Sequence, residues 1–98
     1  MVYIQVAKYM KANTMLEELR KEIDSVDEKI LILLKTRLLL MKKIGEEKKN
    51  EVKPIRDPQR EEEKIQDVQQ QAHILNIPTK LVRDIWKLFF EISEEIEK

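Results

Sequence analysis

The residues able to do chemistry in this chain are marked by where they interrupt apolar periodicity. Leu16, Leu19, Ile23, Val26, Ile30, Leu33, Leu40 and Ile44 recur at spacings of three and four, and Arg37 stands where the series asks for one more apolar residue. A guanidinium does not shed its proton, so on such a seam it needs an anion. Lys48 lies eleven residues further on. On a helix it points within about 20° of Arg37 and about 16 Å along the axis, so two long side chains can converge on a ligand between them. Arg60 and Glu61 fall in the first turn of a second helical pattern, and Ser93 and Glu97 are four apart on a third. Three cations, two carboxylates and a hydroxyl could thus line one cavity suited to a small acidic molecule. Arg20, seventeen residues before Arg37, would sit about 25 Å away and about 100° to the side. It could join Arg37 around a small ligand from a second copy whose helix runs antiparallel.

Three helices are needed to carry these side chains. The first is expected over 14–49, with Thr14 as N-cap and Glu17 completing a capping box. Gly45, the single glycine of the chain, lies inside it and costs up to about 1 kcal/mol relative to alanine. Either a close backbone approach requires it or it is merely tolerated. The pattern fails over 49–56, where Pro54 ends any helix at or before Lys53. Asp57 then suits an N-cap and Pro58 a first helical position. The second stripe is Ile65, Val68, Ala72 and Leu75, and four residues before it comes Glu61, a charge on the core face. Asn76-Ile77-Pro78 breaks the chain again. Pro78 opens the third helix, whose face is Leu81, Val82, Ile85, Leu88, Phe89, Ile92 and Ile96, widened by Trp86 and Phe90. The fold class is all-α, one long helix and two shorter. Residues 1–13 form a leader to which no role is assigned; Val2, Ile4 and Val6 alternate faintly as in a strand, while 8–11 could extend the helix. The domain proper is 14–98.

A chain of 98 residues is one small domain. A helix of roughly 35 residues would be about 50 Å long, longer than such a domain is wide, so its cover is expected from a second copy, as a homodimer. Charged residues make up 39% with a formal net charge of zero; a general nucleic-acid binder would carry a basic excess. There is no cysteine and a single histidine, His73. This excludes a disulfide framework and thiolate chemistry, and one imidazole makes no metal site by itself. No apolar run approaches the ~20 residues of a membrane span, and no signal peptide is evident. The expectation is a soluble, cytoplasmic protein without a metal site.

The segment LRKEIDSVDEKILILLKTR over 19–37, then Lys48, then PIRDPQRE over 54–61, resembles the all-helical class of chorismate mutase. The resemblance covers nearly the whole chain, and a free-standing enzyme is expected from it. It implies an intertwined dimer of three-helix chains with two active sites, each borrowing one arginine. It also implies the rearrangement of chorismate to prephenate, a concerted Claisen shift without covalent intermediate or cofactor. On that resemblance Arg20 of the partner chain and Arg37 would clamp one carboxylate and Arg60 would hold the other. Lys48 would reach a carboxylate and the ether oxygen. Glu61, with the backbone near Asp57, would bind the ring hydroxyl, and Ser93 would contact a carboxylate. Glu97 departs from the pattern. It falls where many members place a glutamine that donates to the ether oxygen, and an ionised carboxylate can only accept. Glu97 would have to be protonated to help, giving activity that favours mildly acidic pH.

Two other readings compete. A non-catalytic coiled-coil or helical-bundle adaptor explains the long seam but not the charges set into it. A mutase-fold domain acting on isochorismate would use the same side chains.

Overall fold

The computed structural model describes the backbone of the first helix from Val2 and the side chains of residues 14–98. Three helices follow in order: α1 (Val2–Asn50), α2 (Pro58–Ile74) and α3 (Thr79–Ile96). Among the described residues there is no strand.

α1 starts well before the expected cap. Thr14 is an interior residue of the helix, not its N-cap. Nothing upstream stops the helix: from Val2 to Thr14 there is no glycine or proline, and Ala7, Lys8, Met10, Lys11 and Ala12 are good helix formers. A Thr-x-x-Glu pattern caps a helix that begins there, but cannot begin one in a chain already helical. The side chains of the 1–13 leader lie outside the described residues.

The chain divides into two compact units, Met1–Arg37 and Leu38–Lys98. Within the first unit the chain is helical from Val2 onward. Its apolar seam faces water in the single chain: Leu16, Leu19, Ile23, Val26, Ile30 and Leu33 are all about half exposed or more.

The second unit comprises the end of α1, then α2 and α3. α1 closes on a two-bond C-terminal motif. The Lys53 N–H donates to the Lys48 carbonyl at 2.7 Å and the Val52 N–H to the Lys49 carbonyl at 3.2 Å, with Val52 in the left-handed region at φ 57°. α2 closes the same way. Ile77 donates to the Ala72 carbonyl at 2.8 Å and Asn76 to that of His73 at 3.2 Å, with Asn76 at φ 57°. Asparagine tolerates this conformation; a β-branched valine is a poor occupant of it.

The expected start of α2 holds. Asp57 caps it, its carboxylate accepting from the Arg60 N–H at 3.2 Å, and Pro58 opens the helix. α3 begins one residue later than expected. Pro78 is its N-cap, at ψ 121°, and Thr79 is the first helical residue. α2 and α3 pack through Val68, Ala72 and Val82, with Trp86 against them and the Trp86 and Phe89 rings edge to face at 5.5 Å. Two expectations about these faces need correction. Leu75 is exposed, because it is the C-cap where α2 turns away. Only part of the broad face of α3 meets α2; Leu81, Ile85, Leu88 and Ile92 remain exposed. No helix of the described residues is long and apolar enough to cross a membrane.

Candidate active site

Within Leu38–Lys98 the strongest convergence is on Lys48. Its ammonium donates to the Glu97 carboxylate, with Nζ 2.7 Å from Oε1, and also to the Ile55 carbonyl of the loop after α1. Glu97 is the C-cap of α3 and its side chain is 5% exposed. A frayed, solvated chain end is therefore not its setting. The neighbouring Lys49 ammonium reaches the Lys98 carbonyl, so two consecutive lysines of α1 hold the two residues that follow α3.

This seat depends on Gly45. An ideal Cβ there would lie 2.4 Å from the Glu97 carbonyl oxygen and 2.5 Å from its Cα. The open question about this glycine is decided in favour of close approach.

A second cluster centres on Arg56. Its guanidinium forks onto Glu61, Nε to Oε2 at 2.8 Å and Nη2 to Oε1 at 2.7 Å, and its Nη1 stands 3.5 Å from Glu94 of α3. Glu61 is largely buried, on the core face of α2 where the stripe places it. The Arg56 hydrogen bond holds the Glu61 carboxyl below the usual carboxylate range, outweighing the burial that pushes it up. The same pair raises Arg56 further above its ordinary value. Sequence reasoning gave Arg56 no role. Its one signal was its place in the RDPQRE box, a cation directly before a helix cap and five residues before a core-face glutamate.

Arg56 lines two clefts. One, of about 330 Å³, has Lys48, Lys53, Pro54, Asp57 and Pro58 as its other walls. The other, of about 230 Å³, includes Glu61, Ile65, Lys87 and Phe90. The first has three cationic side chains and a single carboxylate at its rim, each cation paired with a glutamate: Lys48 with Glu97, Lys53 with Glu51 and Arg56 with Glu61.

The remaining expected residues are placed as follows. Ser93 is buried, and its hydroxyl donates to the Phe90 carbonyl one turn back. Arg60 is exposed in the first turn of α2, its backbone amide taken by Asp57. In the first unit Arg20 is exposed, whereas Arg37 is partly buried. Burial pulls the Arg37 guanidinium below its ordinary value, the mark of a cation placed where water is scarce. No group of His, Cys, Asp and Glu that could hold a metal occurs among the described residues.

Residues 19–98 match the family described as chorismate mutase type II. The chain belongs to that family. A chorismate mutase of Methanocaldococcus jannaschii is 31% identical over 83 residues, covering 85% of this chain and 84% of that protein. A bifunctional chorismate mutase/prephenate dehydratase of Aquifex aeolicus is 56% identical over 48 residues, 49% of this chain and 13% of that protein. The T-protein of Enterobacter agglomerans is 39% identical over 70 residues, 71% of this chain. The chain spans 19% of that T-protein. No solved structure matches the chain. The segment that carries the resemblance, 19–61, lies inside the family match, and the family's helical character agrees with the three helices seen.

Proposed function

We propose that this protein is a chorismate mutase that converts chorismate to prephenate, without covalent catalysis or a cofactor, in aromatic amino-acid biosynthesis. The observation that carries the reading is the Lys48–Glu97 pair, held largely out of water at the wall of a cleft in a chain of this family.

The chemistry asks little covalent work of the protein. A Claisen shift needs its substrate held in a compact conformer, and fixed donors at the ether oxygen as the C–O bond breaks. Arg37 grips one carboxylate with its planar fork, helped by Arg20 of a second copy; arginine suits this role because it binds carboxylates bidentately. Arg60 holds the other carboxylate, and Ser93 contacts one of the two. Lys48 reaches a carboxylate and the ether oxygen. Glu61, kept ionised by Arg56, accepts from the ring hydroxyl together with the backbone near Asp57. Glu97 stands beside Lys48 at the ether oxygen.

A homodimer is part of this reading. The half-exposed seam of Met1–Arg37 supports it, since hydrocarbon at that periodicity calls for a facing helix. The catalytic domain is 14–98, with 1–13 a leader to which no role is assigned, and the enzyme works in the cytoplasm. An adaptor would use the same seam, but it leaves the charge set into that seam at Arg37 unexplained. Isochorismate remains the alternative substrate.

Loss of chorismate absorbance with purified protein is the decisive test; absence of turnover refutes the proposal. Mixing Arg20→Ala and Arg37→Ala chains tests the shared site. Random exchange rebuilds about a quarter of the wild-type sites in an isologous dimer, and no recovery of activity would mean that each chain works alone.

A further inference from the structure

From the contact between α1 and the end of α3 we infer that Gly45 is a positioning residue for catalysis: it fixes Glu97 against Lys48, and no residue with a side chain can replace it. The inference rests on the mutase reading of Glu97.

The argument is steric. Carbon atoms in good contact are about 3.5–4.0 Å apart. A Cβ on residue 45 would lie 2.4, 2.5 and 2.7 Å from the carbonyl oxygen, Cα and Cβ of Glu97. Two of these atoms are backbone, so no change of rotamer relieves the clash. Residue 45 lies within a continuous hydrogen-bonded helix, whereas α3 ends at Ile96, so Glu97 is the part that yields. Its displacement carries the carboxylate away from Nζ of Lys48.

Helical geometry sharpens the point. Positions 45, 48 and 49 are related by i, i+3 and i+4 and share one face of α1. Gly45 supplies the gap, Lys48 holds the Glu97 carboxylate and Lys49 holds the Lys98 carbonyl. Three residues of one face form a seat for the two residues after α3. The up to ~1 kcal/mol that a mid-helix glycine costs relative to alanine is the cost of that seat. Gly45 touches no substrate in this scheme; it acts through Glu97.

The test is a double-mutant cycle on the full chain with Gly45→Ala, Glu97→Ala and the pair, reading kcat and KM for chorismate. Gly45→Ala is expected to lower kcat/KM by about 10- to 100-fold, mostly in kcat, as a misplacement near 1 Å does. In the Glu97→Ala background the same change should cost less than about threefold. Equal losses in both backgrounds, or wild-type kcat in Gly45→Ala, overturn the inference. A second readout needs no turnover. The Lys48→Met and Glu97→Gln changes should show a coupling in urea unfolding that vanishes when residue 45 is alanine; a coupling that persists overturns the inference even if the mutase reading fails. Should Gly45→Ala unfold, adding Val52→Gly at the exposed end of α1 restores stability, and the same cycle is run on that chain.

Discussion

Nζ of Lys48 stands 2.7 Å from Oε1 of Glu97, joining the last turn of α1 to the residue that caps α3. In this arrangement Glu97 is an acceptor. A glutamine in its place would offer the amide hydrogen that an ether oxygen can accept. Glu97→Gln is therefore expected to keep or raise kcat for chorismate, and Glu97→Ala to lower it by about 10-fold or more. Initial rates of both variants decide it, and wild-type kcat in Glu97→Ala refutes the role given to Glu97.

Arg37 separates catalysis from stability. Burial draws its guanidinium below the ordinary value, so the folded chain bears a desolvation cost there. Arg37→Ala should lose transition-state stabilisation of about 3–4 kcal/mol in kcat/KM, the scale of a removed preorganised donor. Its urea midpoint should stay unchanged or rise. A variant that keeps wild-type turnover refutes the role given to Arg37, whereas a wild-type chain without turnover would fit the adaptor.

Arg56 predicts a pH signature. Its guanidinium holds the Glu61 carboxyl below the usual range, so near the ordinary carboxylate pKa the folded chain binds fewer protons than the unfolded one. That contribution to stability is fully present above the unfolded value and is lost as pH falls through the depressed folded value. Arg56→Gln should therefore lower the Tm at neutral pH, with a deficit that closes in acid. Because Arg56 is partly exposed, added salt should also shrink it. Melts by circular dichroism at several pH values read the effect, and a deficit that stays constant into acid argues against the pair.

Val52 occupies a left-handed conformation at φ 57° while 90% exposed. A β-branched side chain there costs about 1–2 kcal/mol. Val52→Gly should stabilise the fold by about 1 kcal/mol, after the extra freedom that glycine gives the unfolded chain. Urea unfolding measures it; a neutral or destabilised variant would mean the strain is absent.

Ala72 is 2% exposed, at the centre of the contact between α2 and α3. Ala72→Leu should cost about 1–3 kcal/mol by overpacking, read in the same assay. A tolerated leucine would reveal room that the packing does not show.

Much of this was legible in the sequence because periodicity and proline are strong signals. The three-helix order, the Asp57–Pro58 start of α2 and the core-face placement of Glu61 all follow from spacing alone. What was missed has physical causes. The Thr14–Glu17 pattern is local, and whether it caps depends on a breaker upstream that this chain lacks. Arg56 lies in a loop, where no repeat marks a side chain as facing inward. The apolar band of α3 is wider than one packing face, so its pattern could not tell Val82, which is buried, from Leu81, which is not. Gly45 admitted two readings because the residue it accommodates lies fifty-two positions away in sequence.

The row of leucines, isoleucines and valine laid bare along Met1–Arg37 has a thermodynamic corollary. If a second copy covers that row, as proposed, folding and association form a single equilibrium, and no melting temperature is meaningful without the amount of protein in the cuvette. In that dimer, tenfold dilution has to lower the midpoint and, with each site borrowing Arg20 from a neighbour, to reduce the specific rate along with it.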